Sequence, residues 1–145
     1  MTLKKIEQWH QKARPTPDAA AFNTQLGCHA EEFAEMLETI SSHDEDTQNR
    51  IFKAWSAITD LSLFLKEGPD IVFIDDRQLF LDSLADQVVT AIGVGHCAGM
   101  QTAEACDRVN DSNWSKFVDG EPVFNEAGKV AKGINYAEPD LEGLY

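Results

Sequence analysis

Glu31, Glu32, Glu35 and Glu38 crowd one short stretch of the chain. On a helix, Glu31 and Glu35 lie about 40° apart and Glu32 and Glu35 about 60° apart, so they share one side. No Lys or Arg occurs between Arg14 and Arg50, so no neighbour in sequence pairs these acids. Surface helices usually intersperse opposite charges at four-residue spacing. A second pair, Asp82 and Asp86, is also one turn apart, within the most apolar segment of the chain and with no Lys or Arg between Arg77 and Arg108. Carboxylates in an apolar helix cost several kcal/mol each if buried unpaired. Distant lysines or arginines could compensate them, and so could a divalent metal. A carboxylate-only donor set selects Mg²⁺, with Mn²⁺ as a substitute, over Zn²⁺. Mg²⁺ takes phosphate oxygens as further ligands and lowers the pKa of bound water, which points to phosphoryl chemistry. The plainer reading of the glutamates is a solvated helix face.

The elements that must hold these groups read as helices. Residues 1–14 place Ile6 and Trp9 on one side, and Pro15 and Pro17 end the run. Asp18 can cap a second helix reaching about Ile40, with Phe22, Leu26, Phe33, Leu37 and Ile40 as its apolar stripe. A third runs from about Thr47 to Lys66, with Ile51, Trp55, Ile58, Leu61 and Leu65 as its inner face, and Gly68-Pro69 stops it. Ile71–Ile74 has strand-like composition but is too short to decide. A fourth helix, about Asp75 to Ala98, is apolar nearly all round and is expected to be central. Gly93, Gly95 and Gly99 are expected to serve close helix packing. A fifth helix spans about Thr102 to Trp114. From Lys116 onward glycines and prolines break any long helix, and Asp119-Gly120 signals a hairpin turn. The expectation is one all-α domain over 1–145, a small helical bundle whose irregular tail, 116–145, completes the site.

Composition narrows the function. The chain has 145 residues, with 12 Lys plus Arg against 25 Asp plus Glu, a net charge of −13. So acidic a chain disfavours nucleic acid and anionic membranes as partners. No apolar run is long enough for a membrane span, and the N-terminus lacks the apolar centre of a signal peptide, so a cytoplasmic location is expected. Cys28, Cys97 and Cys106 form no Cys-x-x-Cys pair and are expected to be free thiols. No Gly-x-x-x-x-Gly-Lys-Ser/Thr loop is present.

The segment Gln25-Leu26-Gly27-Cys28-His29-Ala30-Glu31-Glu32-Phe33-Ala34-Glu35-Met36 resembles the Glu-Glu-x-x-Glu helix of MazG-like nucleotide pyrophosphohydrolases. Asp82-Ser83-Leu84-Ala85-Asp86 resembles their second acidic motif. Val109–Phe117, Gly128–Tyr136 and Pro139–Leu141 are similar to later blocks of the short phage and bacterial members, the phosphoribosyl-ATP pyrophosphohydrolase-like type. In the usual second motif an acid stands at the position of Ser83, so Asp82 takes its place here and the number of metals is open.

The resemblance implies an all-α NTP pyrophosphatase fold and self-association as dimers or tetramers with shared sites. It implies hydrolysis of a (deoxy)nucleoside triphosphate between the α- and β-phosphates, giving monophosphate and pyrophosphate. Glu32, Glu35, Asp82 and Asp86 would then hold Mg²⁺, and Glu31 would orient or deprotonate the attacking water. Lys116, Lys129 and Lys132 are candidates for the phosphates. Asn110 and Asn113 are candidates for base or sugar, and Tyr136 for stacking on a base. Each also has a structural alternative: a solvated tail, helix capping, or packing of the tail. Trp9 and His10 are more simply packing residues. In a phage, and so in the host cytoplasm, such an enzyme would tune a nucleotide pool, with guanine nucleotides a narrower option. The alternatives are phosphoribosyl-ATP hydrolysis and, in another class, a non-catalytic acidic helical protein that docks on a basic partner.

Overall fold

The computed structural model describes residues 2–126 and 128–145. It is all-helical: α1 spans Thr2–Ala13, α2 Ala19–Glu38, α3 Glu45–Glu67, α4 Arg77–Cys97 and α5 Thr102–Trp114. Aspartates start three of the five. Asp18 accepts the Ala21 amide at 2.8 Å, Asp44 the Thr47 amide at 2.8 Å, and Asp76 the Leu79 amide at 3.0 Å. Each cap satisfies an amide that the helix itself cannot, a contribution of about 1 kcal/mol. The chain folds as two compact units. One holds Thr16–Val72 with Glu126–Lys129, and the other holds the chain up to Pro15, Phe73–Asn125 and Val130–Tyr145. The divisions fall at these points and not at residue 116, where the composition changes.

The first unit is the α2–α3 pair. Its seam is built from small residues: Ala21, Gly27, Ala34 and Ser62 are buried, with Leu65 beside them. Gly27 is where the helices come closest. A Cβ there would sit 2.7 Å from Lys66 Cγ and 2.9 Å from the Ser62 carbonyl oxygen. The Ser62 hydroxyl donates to the Gly27 carbonyl at 2.9 Å, closing the contact. Because small residues take the seam, larger members of the expected apolar stripes are left outside it. Phe33, Ile40 and Leu61 are exposed. The segment after α3 forms no strand. The buried Asn23 side chain holds it instead, donating to the Asp70 carbonyl at 2.6 Å and accepting the Val72 amide at 3.2 Å.

In the second unit α1 packs on α5, and α5 also carries α4. Trp9 stacks on Phe117 at 5.8 Å and donates its indole N–H to the Asn113 carbonyl at 2.9 Å. Thr2 donates to Asp107 at 2.8 Å. The irregular tail is clipped along α5 by side chains bonding to main chain. Ser112 donates to the Ala137 carbonyl at 2.7 Å, Ser115 accepts the Ala137 amide at 2.8 Å, and Arg108 donates to the Asp140 carbonyl at 2.8 Å. Val118 and Glu121 exchange both backbone hydrogen bonds at 2.9 Å, with Asp119 and Gly120 both at positive φ. This is the two-residue turn that Asp-Gly favours.

The expectation that α4 is central is not met within the chain. Only Gly95 of this helix is buried, and Leu79, Leu81, Val89 and Val94 are each at least 60% exposed. Its glycines also divide. Gly95 lies against Thr102 of α5, as close packing requires, whereas a side chain at Gly93 would meet open space. Gly99, at φ +76°, ends the helix, with the Met100 amide returning to the Gly95 carbonyl at 2.9 Å. Among the described residues no helix is long and apolar enough to cross a membrane.

Candidate functional site

The central turns of α2 carry Glu31, Glu32 and Glu35 on the side that the spacing predicts. Their environments differ. Glu31 is held by two lysines from elsewhere in the same unit. Lys66, at the end of α3, donates to one carboxylate oxygen at 2.7 Å, and Lys129 donates to the other at 2.7 Å. The Lys129 bond, then the Lys66 bond, holds the Glu31 carboxyl below the ordinary glutamate range. The same Glu31 bond, aided by the neighbouring Cys28 thiol, pushes the Lys129 ammonium up. Lys66 has only 11% of its side chain exposed, its stem lying against Gly27. Small residues at 27 and 62 therefore let α3 deliver a cation to an acid on α2.

Sequence spacing marks Glu31 as an acid without a local partner; the structure supplies two through space, 35 and 98 positions away. A carboxylate so occupied is a weak proton acceptor, because both oxygens already accept charge-assisted bonds. Glu38 is also engaged, accepting the Trp55 indole N–H at 2.6 Å. Glu32 and Glu35 are exposed. Lys66 is the residue that reading by motif misses. Its one signal is that it stands a turn beyond Ser62, in a helix whose partner carries Gly27.

On α4, Asp82 and Asp86 are exposed. Being solvated in the single chain, they carry no burial cost there, which removes the reason for expecting a compensating cation on that ground. No ion pair or side-chain hydrogen bond engages the carboxylates of Glu35, Asp82 or Asp86 among the described residues. Nor do three His, Cys, Asp or Glu side chains converge as a metal-holding group among them. What each helix offers is a pair of carboxylates one turn apart. That is too few for an all-protein cage, but it matches the one or two carboxylates that Mg²⁺ takes when waters and phosphate oxygens fill its remaining positions.

The nucleotide candidates are spread over both units. Lys129 is the Glu31 partner. Lys132 lies 4.5 Å over the Tyr136 ring, a cation–π contact that uses both residues structurally. Lys116 is half-buried, and its backbone closes the end of α5 with a bond to the Asn113 carbonyl at 3.2 Å. Asn113 contributes that carbonyl, which also receives Trp9. Asn110 is 2% exposed, and its amide nitrogen has no hydrogen-bond partner among the described residues. An orphaned buried donor of this kind costs about 1–3 kcal/mol. The three cysteines are free thiols.

Comparison with protein-family models, curated proteins and solved structures found no match.

Proposed function

We propose that this chain hydrolyses a (deoxy)nucleoside triphosphate between its α- and β-phosphates in a Mg²⁺-dependent reaction, releasing monophosphate and pyrophosphate and so controlling a nucleotide pool. One observation carries the reading. Among the described residues Glu35, Asp82 and Asp86 have no protein cation, although the chain brings two lysines to Glu31, their neighbour in type and pattern. Glu35 on α2 and the one-turn pair Asp82 and Asp86 on α4 are acids of the kind that a hard cation with phosphate ligands would use. The order of the acidic motifs, with their resemblance to MazG-like pyrophosphohydrolases, supplies the reaction class.

In this reading Glu32 and Glu35 on α2, and Asp82 and Asp86 on α4, are the Mg²⁺ ligands. The ion, when bound, stabilises charge on phosphoryl oxygens and acidifies water. Glu31 acts through the lysines it orders: it binds Lys66 and Lys129, and Lys129 is the candidate for a phosphate oxygen. Held by two lysines, Glu31 is a weaker base toward water than an unpaired glutamate. Self-association belongs to the same reading.

The test is turnover of purified variants. Glu35→Gln and Asp86→Asn should each lower Mg²⁺-dependent monophosphate release by about 100-fold or more, as loss of a ligand to a catalytic ion does. Both should leave the melting temperature nearly unchanged, since each removes an exposed, unpaired charge. Unaltered turnover in both variants would reject the assignment. A second reading, an acidic helical protein that docks on a basic partner, is favoured by the exposure of Asp82 and Asp86. It predicts no turnover in the unaltered protein.

A further inference from the structure

Lys66 and Lys129 bring two positive charges to one carboxylate, in a chain with 12 Lys plus Arg against 25 Asp plus Glu. One lysine would neutralise Glu31. The second leaves a surplus cation at the cluster, one turn of α2 from Glu35, which has no ion pair among the described residues.

Lys66 is built into the α2–α3 seam. Its stem passes over Gly27, where a Cβ would come within 2.7 Å of Lys66 Cγ. An ammonium has three N–H donors. Lys66 directs one to Glu31, and the other two meet no hydrogen-bond acceptor among the described residues. Spare donors on a nearly buried cation are costly unless an acceptor reaches them. The other side of the cluster is open. Glu31 and Lys129 keep 33% and 37% of their side chains exposed, so an ion from solvent can reach Lys129 and the Glu31 carboxylate has room to turn outward. That carboxylate bridges the two ammonium groups, one oxygen to each, at 2.7 Å. A phosphate group makes the same kind of bridge with more oxygens and more charge, and lysine serves it as a point charge.

We infer that Lys66 and Lys129 form a site for a phosphate-type oxyanion, and that Glu31 is its internal occupant, displaced when the anion binds. The choice of phosphate rests on the proposed reaction. The site itself rests on two lysines that share one partly exposed carboxylate. Glu31 then sets the affinity: while it occupies the lysines the binding-competent fraction is small, and the apparent Kd rises in inverse proportion to that fraction.

Calorimetric titration of the metal-free, full-length protein with inorganic pyrophosphate tests this, with sodium chloride at matched ionic strength as the blank. Glu31→Gln should bind pyrophosphate at least about tenfold more tightly than the unaltered protein. Lys66→Met keeps an apolar stem beside Gly27 and leaves Glu31 its Lys129 bond, so it should fold, and it should bind at least about tenfold more weakly than the unaltered protein. It decides the matter even if Glu31→Gln does not fold. A nucleoside triphosphate without Mg²⁺ should show the same order of affinities, because the phosphate chain is the shared group. Pyrophosphate binding alone would give the site to the free anion. No pyrophosphate binding to the unaltered protein or to Glu31→Gln would overturn the inference. Equal affinity in the unaltered protein and Lys66→Met, or in the unaltered protein and a folded Glu31→Gln, would overturn it too. None of these readouts requires turnover, so a protein that binds in this order without hydrolysing any nucleotide would refute the proposed reaction and leave the anion site standing.

Discussion

Glu31 is the acid whose role changes most between sequence and structure. Its two 2.7 Å lysine bonds make it a structural anion at neutral pH. Glu31→Gln leaves the largely buried Lys66 ammonium without its partner and should cost about 1–3 kcal/mol, read as a lowered urea midpoint. The pH dependence follows from the lowered carboxyl pKa. Near the ordinary glutamate range the unfolded chain binds more protons than the folded one. The contribution of Glu31 is therefore complete above that range, and it fades as pH falls through the lowered folded value. In Glu31→Gln the acid side of the stability profile should flatten. Lys129 has the opposite sense: its raised pKa contributes below the ordinary lysine range and fades as pH rises through the raised value. A Glu31→Gln profile that parallels the unaltered protein's below pH 5 would contradict the ion-pair account. The pairing itself was not legible in the sequence. Acids at helical spacing are a local pattern, whereas Lys66 and Lys129 arrive through the tertiary fold.

At the scale of elements, the number, type and approximate ends of the five helices were legible, because apolar spacing, the cap at Asp18 and the proline and glycine breakers mark them. Asp18 caps α2 as its position suggests, and Asp119-Gly120 makes its turn. Which face each helix buries was less legible. Periodicity marks Phe33 and Leu61 as inward, but the α2–α3 seam is set by Gly27 and Ser62, whose small size allows a close approach that hydrophobic patterning does not register. Gly27→Ala tests this. The added Cβ meets Lys66 Cγ and the Ser62 carbonyl, so the helices must separate, and about 1–3 kcal/mol should be lost despite alanine's better helix propensity. Equal or greater stability would show that the seam yields without cost. Gly93→Ala, which meets nothing, should be neutral or stabilising, by up to about 1 kcal/mol.

For the whole molecule, the charge of −13 and the exposed carboxylates set the response to ions. Self-repulsion is screened by any salt, and sodium chloride should raise the melting temperature modestly. Mg²⁺ at matched ionic strength should raise it further if it binds specifically, by about 2.7 kcal/mol in stability at 100 times its Kd. Glu35→Gln should remove that increment and leave the general salt effect. Identical curves for the two salts would show that the acids are merely solvated. The acidic motifs and their order were legible in the sequence. Whether their four members act together was not, because α2 and α4 belong to different compact units.

The measurement that bears most directly on the proposed activity is phosphorus NMR of the products formed from each nucleoside and deoxynucleoside triphosphate with the purified protein and Mg²⁺. Monophosphate and pyrophosphate in equal amounts, from one or a few nucleotides, are the predicted result. Orthophosphate with diphosphate would place the cleavage at the wrong bond. No product from any nucleotide would leave the acidic faces to a binding role, and either result would contradict the reading.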